Sequence, residues 1–412
     1  MRTRFLAARV LPDARSEFAP GVVDVEGDRI LFVGATAAAP DIAAADETID
    51  LGDAVLTPGL VNAHSHLDLT HLRGDVPVGG TFADWARAIG QRRKEGGAPT
   101  ASAVGPANIR EAAAREGISG AIARGTTCFG DIVTPGTFGE IAGLCAETGV
   151  RARLFVEAIG FHPGRADEVF ERVWQAAEMQ ALPETVATGI SPHAPYTVSR
   201  ELLRQLVSMA DGHGRPVAVH VGETLEELAF LRHGIGPLRD LLREFDADDP
   251  DHQAYGDMPT FLAELELNSA ALTLVHGNYL RPREAPAGAH VVYCPTAHHF
   301  FGHPEHPVLE FVEEGVRVAL GSDSAASGDT VDLLSETQHL AKHRADVSAQ
   351  LAFQMATEWG AAALDFDSGR LERGRLADLA AFTPAAGHEI LGLPEAECVL
   401  SVVGGNVLHR TA

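Results

Sequence analysis

The stretch Thr57-Pro-Gly-Leu-Val-Asn-Ala-His64-Ser-His66-Leu-Asp68 decides the fold and the site of this chain. It follows a short apolar run and contains two histidines that are separated by one residue. Side chains in an extended strand repeat every two residues, so His64 and His66 are expected to point to the same side. Two imidazoles at the end of one strand can share a divalent metal ion. The alternative is a pair of surface histidines on a polar loop.

The composition describes an acidic globular protein. The chain has 412 residues, of which 45% are apolar, and its net charge is −25 from 32 Lys and Arg against 57 Asp and Glu. That length suits one large α/β barrel with a small accessory domain. The negative charge repels phosphate backbones and anionic lipids, which argues against nucleic-acid and membrane partners.

The cysteines and the N-terminus bear on the cellular compartment. Four cysteines are scattered along the chain without a CxxC pair, so neither a disulfide framework nor a thiolate zinc site is expected. The first ten residues contain only a short apolar segment, which Arg9 interrupts. This pattern predicts a strand and not a signal peptide, and we therefore expect a cytoplasmic location.

Apolar, β-rich segments recur through the middle of the chain, and amphipathic stretches separate most of them. They predict eight strands, at residues 55–61, 126–133, 153–158, 186–191, 216–221, 271–276, 290–294 and 316–321. Eight strand–helix units over about 270 residues predict an α/β fold of the (β/α)8 TIM-barrel type. A doubly wound open sheet is the alternative, but polar residues end many strands and do not gather at one switch point.

Both chain ends have short strand patterns with glycine turns, at residues 3–10 and 20–34 and again from 376 onward. Neither end has enough strands for a stable sheet of its own. We expect the two ends to form one small β-sandwich. The predicted domains are residues 1–54 and 366–412 for the two parts of the sandwich and residues 55–365 for the barrel.

Three further polar residues close predicted strands. His220 closes the fifth strand, His276 the sixth and Asp323 the eighth. The C-terminal ends of barrel strands converge on one mouth, where these residues can meet His64 and His66. Each residue alone could be a turn residue or a helix cap. Their joint placement predicts a metal centre.

Imidazole and carboxylate donors without a thiolate suit one Zn²⁺ per chain, with Fe²⁺ or Mn²⁺ as alternatives. Such an ion lowers the pKa of a bound water from about 16 toward about 7. We expect Asp323 to accept a proton from that water and His276 to polarise it. Glu223, just past the fifth strand, is expected to shuttle a proton to the substrate. His193 ends the fourth strand in place of a metal-bridging lysine, which favours a mononuclear centre.

Several motifs resemble, in their order along the chain, the amidohydrolase superfamily and its branch of nucleobase deaminases and chlorohydrolases. The similar segments are residues 57–66, 191–197, 220–223, 276–277, 321–324 and 369–379. The resemblance implies four metal ligands: His64, His66, His220 and Asp323. It also implies that His276 hydrogen-bonds the attacking water, that Glu223 shuttles the proton and that His193 contacts the substrate. The implied reaction is hydrolytic deamination of an aminated ring, and the resemblance allows a homodimer.

The segment around the seventh strand bears on the substrate. Adenosine and S-adenosylhomocysteine deaminases typically carry Asn-Pro-x-Ser-Asn here, whereas this chain has Cys294-Pro-Thr-Ala-His298 followed by Phe-Gly-His-Pro-Glu-His-Pro307. That form resembles the 6-aminodeoxyfutalosine deaminases of the alternative menaquinone route. The implied substrate is an adenine nucleoside that carries a carboxyphenyl ketone.

Five more residues are candidates for substrate contact, namely Asp68, Arg73, Trp85, Arg153 and His298. A surface or ion-pair role is the alternative for the first four. The histidine-rich segment His298–His306 is expected to cover the pocket, and a second metal site or a capped loop is its alternative. Alternative activities are deamination of S-adenosylhomocysteine, methylthioadenosine, adenosine or guanine, and hydrolysis of a chlorotriazine.

Overall fold

The structure is a computed structural model that describes residues 1–40, 45–76, 79–95, 106–178 and 182–411. The intervening positions fall within the predicted domains and lie outside the described residues. None of the helices in these ranges is long and apolar enough to cross a membrane.

The strands form three sheets. In chain order they are β1 (Arg2–Ala7), β2 (Arg9–Asp13), β3 (Ser16–Phe18), β4 (Gly21–Glu26), β5 (Arg29–Ala35), β6 (Glu47–Asp50), β7 (Val55–Pro58), β8 (Leu60–Ser65), β9 (Thr126–Val133), β10 (Arg151–Ala158), β11 (Val186–Pro192), β12 (Val217–Val221), β13 (Leu272–His276), β14 (His290–Tyr293), β15 (Arg317–Leu320), β16 (Leu379–Thr383), β17 (Glu397–Val403) and β18 (Asn406–Arg410).

Helices follow most strands of the central region. They are α1 (Phe82–Glu95), α2 (Pro106–Ile122), α3 (Phe138–Thr148), α4 (Ala166–Ala177), α5 (Arg200–Gly212), α6 (Leu225–His233), α7 (Pro237–Glu244), α8 (Met258–Ala263), α9 (Pro295–Phe301), α10 (Val308–Glu313), α11 (Leu333–His343), α12 (Ala349–Ala356) and α13 (Glu358–Ala363).

Strands β8 to β15 pair in sequence order, each parallel to the next, and form a barrel. The barrel closes at a seam between β8 and β15, where the backbone N–H groups of Ser322 and Asp323 donate to the carbonyl of His64 at 3.0 and 3.1 Å. The predicted (β/α)8 barrel is therefore confirmed, and the closed seam is incompatible with an open sheet.

The barrel strands are buried because helices cover their outer faces. All eight residues of β9 are buried, and so are all eight residues of β10. Parallel strands that are covered on both faces form continuous apolar runs in sequence, which is why the strand pattern was visible. The covering helices are amphipathic: in α4, Val169 and Val173 are one turn apart and both face the core.

The chain ends form the predicted sandwich. One sheet has the order β5-β4-β1-β6 and the other the order β18-β17-β16-β7-β2-β3. The second sheet combines both ends of the chain, because β7 pairs with β2 on one side and with β16 on the other. Residues from both sheets, including Phe5, Val23 and Leu379, share an apolar core.

The predicted first barrel strand, at residues 55–61, is in fact two strands. β7 pairs with the sandwich strand β16, whereas β8 pairs with the barrel strand β9. Gly59 separates them. A Cβ atom at position 59 would collide with Thr127 Oγ1, so no larger residue fits there without a shift of Thr127. The prediction that the barrel begins at residue 55 is therefore wrong, since the barrel begins at Leu60.

A buried ion pair joins the two parts of the molecule. Arg151, the first residue of β10, donates from Nε and Nη2 to the carboxylate of Asp378 at 2.6 and 3.0 Å. Only 5% and 2% of the two side chains are exposed. Asp378 also accepts from the backbone N–H of Gly404 at 2.8 Å. Two charge-assisted hydrogen bonds thus fix the barrel strand β10 to the C-terminal sheet.

Candidate metal centre and active site

Five polar side chains meet at the C-terminal mouth of the barrel. They lie at or just beyond the ends of four strands and all are buried: His64, His66, His220, His276 and Asp323. The ring centroid of His64 lies 4.9 Å from those of His66 and His220 and 5.6 Å from that of His276. The structure therefore brings together the five residues that the strand ends predicted to meet.

The donor atoms of this cluster lie at distances suited to one ion. His66 Nε2 and His220 Nε2 are 3.3 Å apart, and Asp323 Oδ1 lies 3.5 Å from His64 Nε2 and 3.7 Å from His66 Nε2. Nitrogen ligands in a tetrahedral site with bonds of about 2.0–2.1 Å are separated by about 3.3–3.4 Å. Within the described chain, His64 belongs to two groups of three donors: one with His66 and Asp323, the other with His220 and His276.

The chemistry of the donors also fits a cation. Both ring nitrogens of His64 are buried, and among the described residues neither has a hydrogen-bond partner. A buried polar atom without a hydrogen bond is costly, and a divalent ion would satisfy Nε2, the nitrogen that lies 3.5 Å from Asp323 Oδ1. Burial, followed by the charge of His193 and the other histidines, holds the pKa of His220 well below its usual value.

The carboxylate of Asp323 completes the donor set as an anion. Burial alone would raise the pKa of Asp323, but its contact with His64 and the charges of the neighbouring histidines hold it below the usual value. Its other oxygen accepts a hydrogen bond from Ser327 Oγ at 2.7 Å. Neutral imidazoles and an ionised carboxylate are the forms in which these residues bind a metal.

The backbone is strained at two positions of the cluster. His276 and Asp323 have φ angles of 70° and 58°, in the left-handed region that non-glycine residues rarely adopt. Such a conformation costs about 1–3 kcal/mol and persists where the surroundings hold it. Here the carbonyl of His276 is 2.9 Å from Nε2 of the buried His306, and the N–H of Asp323 bonds across the seam.

Glu223 lies beside the cluster. Its Oε1 is 3.5 Å from Nε2 of His276. The N–H groups of Gly222 and Glu223 each donate to one carboxylate oxygen of Glu227 at 2.8 Å, and the carbonyl of Glu223 accepts from Asn278 at 3.1 Å. Burial, and then the nearby carboxylates, raise the pKa of Glu223 well above its usual value. Glu223 is therefore a positioned carboxyl group that holds its proton more tightly than an exposed glutamate does.

His193 and Glu157 form another wall of the mouth. His193 Nδ1 is 2.7 Å from Thr197 Oγ1, and its Nε2 is 3.7 Å from Glu157 Oε1. The carbonyl of His193 accepts a hydrogen bond from His220 Nδ1 at 2.9 Å. The other ring nitrogen of His220, Nε2, therefore points toward the cluster. Glu157 was not predicted. The signal that could have found it is an acidic residue next to the end of the apolar strand β10.

The mouth opens into a cavity of about 260 Å³. Its base is the histidine cluster with Glu223 and Glu157, and its outer walls come from α1, α7 and the residue that follows α7. The apolar residues there include Phe82, Trp85, Ile89, Leu238, Leu241 and Phe245. No lysine or arginine lines this cavity in the described part of the chain. The cavity thus has a polar base and an apolar entrance.

Arg153 does not reach this cavity. It lies near the N-terminal end of β10, where its guanidinium donates to the carbonyls of Thr188 and Asp365 at 2.9 and 3.1 Å. It also stacks over the ring of Phe366, 4.9 Å from the centroid. The substrate contact predicted at Arg153 is therefore wrong, because this side chain is committed to the opposite end of the barrel.

Asp68 and His298 lie near the mouth but do not line the cavity. Asp68 is buried, and its Oδ2 is 3.4 Å from Thr137 Oγ1. The ring of His298, on α9, lies 5.4 Å from that of Tyr293. Substrate contact by either residue stays a prediction that the shape of the cavity does not support.

A model of the amidohydrolase family matches residues 55–408. The chain belongs to the amidohydrolase family. The match begins at β7 and extends through the barrel into the C-terminal sheet. The predicted amidohydrolase-type enzyme is thereby confirmed, and members of this family typically bind a divalent metal ion.

Relatives of this amidohydrolase are named as deaminases. It is 34% identical over 385 residues to a 5-methylthioadenosine/S-adenosylhomocysteine deaminase of Halobacterium salinarum. The alignment covers 89% of this chain and 80% of the relative. It is also 32% identical over 301 residues to an aminodeoxyfutalosine deaminase of Deinococcus radiodurans. That alignment covers 69% of this chain and 67% of the relative.

Solved structures share the fold of this amidohydrolase. An adenosine deaminase from Xanthomonas campestris with bound zinc has a TM-score of 0.77 at 25% identity and covers 99% of this chain and 93% of its own. The aminofutalosine deaminase of Helicobacter pylori in complex with methylthio-coformycin has a TM-score of 0.84 at 19% identity and covers 98% and 99%. A triazine hydrolase variant has a TM-score of 0.78 at 22% identity and covers 99% and 95%. The last two likenesses support the fold alone.

Proposed function

We propose that this amidohydrolase uses water to remove the 6-amino group from the adenine ring of a 5′-substituted nucleoside and releases ammonia. The observation that carries the proposal is the buried cluster of four histidines and one aspartate beside the positioned carboxyl group of Glu223. A hydrolytic deamination needs an activated water and a proton donor at the ring, and this base offers groups for both. The names of the sequence relatives support adenine nucleosides as the substrate class.

The proposed cofactor is one divalent ion per chain, and zinc is the proposed ion, with iron or manganese as alternatives. The proposed ligands are His64, His66, His220 and Asp323. When bound, such an ion supplies a water whose pKa is lowered toward neutrality. The zinc in the adenosine deaminase from Xanthomonas campestris supports this choice. The ring nitrogens of His64, which have no hydrogen-bond partner among the described residues, independently support a divalent ion at this position.

Three residues carry the proposed proton transfers. Asp323 accepts a proton from the attacking water as the oxygen bonds to ring carbon C6, and Glu223 donates its proton to ring nitrogen N1. Asp323 then passes its proton to the departing amine, and Glu223 takes the hydroxyl proton as the C6 carbonyl forms. His276 hydrogen-bonds the attacking oxygen as a neutral imidazole, because burial lowers its pKa to about 3. Water and substrate thus become a keto product and ammonia.

The apolar entrance bears on the 5′ substituent. Phe82, Trp85 and Phe245 can stack on an aromatic group, as aromatic side chains do at offset or edge-to-face geometry. This wall supports aminodeoxyfutalosine, whose substituent is an aryl ketone, as the proposed substrate. Methylthioadenosine is the second candidate, because its substituent is uncharged. The absence of lysine and arginine from the described lining residues favours it on this point, since the carboxylate of aminodeoxyfutalosine would have no cation there to pair with.

A substrate panel tests the proposal. Ammonia release is followed on metal-replete protein with aminodeoxyfutalosine, methylthioadenosine, S-adenosylhomocysteine, adenosine, guanine and a chlorotriazine. We expect aminodeoxyfutalosine to give the highest kcat/KM and methylthioadenosine the next. Turnover of methylthioadenosine alone would remove the aryl-ketone assignment and keep the substrate class. Turnover of guanine or of the triazine alone would overturn the class itself.

A further inference from the structure

A second group of imidazoles lies outside the barrel mouth. His299, His339 and His343 each place a ring nitrogen within 4.8 Å of the others. The ring centroids are 4.3 Å apart for His339 and His343, and His299 lies 5.3 and 5.0 Å from them. His299 and His343 are exposed and His339 is half-buried, so solvent reaches the group. This group, the surface histidine cluster, shares no residue with the site described above.

Two helices hold the surface histidine cluster. His339 and His343 are four residues apart on α11, so they lie on one face of that helix, and His299 faces them from α9. One turn away the same two helices are pinned together, because the N–H of Thr296 donates to Glu336 Oε2 at 3.0 Å and its hydroxyl bonds the other oxygen. These bonds fix the position of α9 relative to α11, and therefore the backbone positions of the three histidines.

The spacing suits a transition-metal ion. Nitrogen ligands in a tetrahedral site are separated by about 3.3–3.4 Å, so rings whose nitrogens lie within 4.8 Å need to move by only about 1 Å. Exposed side chains change rotamer readily, on the picosecond to nanosecond timescale. Three imidazoles select Zn²⁺, Cu²⁺ or Ni²⁺ and not Mg²⁺ or Ca²⁺, which prefer oxygen.

The proton state of His339 suits metal binding. Burial, followed by the charges of His343 and His299, lowers the pKa of His339 to about 4. The ring is therefore neutral at physiological pH and can donate a lone pair. Lys342 adds a nearby positive charge, but the net charge of the whole protein is −25.

We propose that His299, His339 and His343 form a second metal site, which binds Zn²⁺ or Cu²⁺ through three ring nitrogens with solvent as the remaining ligand. Such an ion would bridge α9 and α11. The rim of the active-site cavity is linked to this bridge, because Phe301 at the end of α9 packs against Phe82 and Trp85 at 5.5 and 5.4 Å between centroids.

Zinc binding to the tag-free holoenzyme tests the proposal. In equilibrium dialysis against Zn²⁺, the wild-type protein should bind one more zinc per chain than the His339→Ala/His343→Ala double variant. Each single change, His299→Gln or His343→Gln, should weaken this zinc by about 10- to 100-fold or more, since even the loss of a hydrogen bond to a metal ligand costs that much. His233→Ala, at an exposed histidine of α6, is the matched control and should keep the wild-type content.

The outcomes separate cleanly. If wild type and the double variant bind the same amount of zinc, the site does not exist, whatever metal the barrel mouth holds. If the double variant is unstable in the absence of added zinc, the two exposed single variants decide the matter. Bound Cu²⁺ whose electron paramagnetic resonance spectrum lacks nitrogen coupling in wild type would also overturn the proposal. Deaminase turnover without added zinc is expected to be unchanged in all these variants, because none of the changed residues lines the active-site cavity.

Discussion

Replacing Glu223 by glutamine isolates the proton donor that we propose. The change keeps the volume of the side chain but removes the proton that can be exchanged, 3.5 Å from His276 Nε2. A positioned general acid contributes about 10²- to 10⁴-fold in rate, or about 2.7–5.4 kcal/mol of barrier at about 1.36 kcal/mol per tenfold. We expect kcat for ammonia release to fall by that factor. Because burial and neighbouring carboxylates disfavour the ionised form of Glu223, the amide should not reduce the free energy of unfolding.

Two controls make this measurement specific. Metal content should stay at one ion per chain, because Glu223 is not among the proposed ligands, and a loss of metal would move the explanation to the centre itself. Glu226→Gln changes a carboxylate three positions further on, which accepts from the N–H of Ala83 at 3.1 Å, and should retain turnover. Wild-type kcat in the Glu223→Gln protein would remove Glu223 from the mechanism.

Three further changes test other parts of the structure. Asp323→Ala should lower both metal retention and kcat, as metal analysis of the purified protein and an ammonia assay will show, and full metal content would contradict its role as a ligand. Arg151→Met leaves Asp378 buried without its partner and should cost about 3–5 kcal/mol in the free energy of unfolding, measured with denaturant; a loss below about 1 kcal/mol, as for exposed pairs, would contradict the burial of this pair. Burial raises the pKa of Glu227 from 4.5 to about 7, so the folded state holds a proton that the unfolded chain has released; the free energy of unfolding should therefore fall as the pH rises from 4.5 to about 7, and Glu227→Gln should remove this part of the pH dependence.

Most of the barrel could be predicted because each strand is marked by a pattern in its own short stretch of sequence. The later strands lie within two residues of their predicted bounds, since each is a buried, continuous apolar run that a polar or glycine-rich segment ends. The first strand could not be divided correctly. The apolar run continues across Gly59, and only the pairing of β7 with β16, more than 300 residues away, assigns its first half to the sandwich.

The base of the candidate site was predictable for a related reason. A barrel brings strand ends together, so residues such as His220 and Asp323 could be placed without knowledge of any side-chain contact. Trp85, which lines the cavity, was among the candidates for substrate contact. The other walls were not predictable, because residues such as Phe245 face the cavity only through the packing of α1 and α7. Arg153 was misplaced since its partners are the carbonyls of distant segments, which no sequence pattern marks. A cytoplasmic location and a homodimer stay predictions.

The seam of the barrel has a consequence for how the protein matures. The carbonyl of His64 takes hydrogen bonds from Ser322 and Asp323, so the first and last strands of the barrel meet at the proposed metal ligands. Nearly the whole barrel is synthesised between these two segments. A nascent chain that has not yet exposed residue 323 holds only part of the donor set. Cation uptake is therefore expected to be a late event, simultaneous with ring closure, and a truncated or stalled polypeptide should leave the ribosome without its ion.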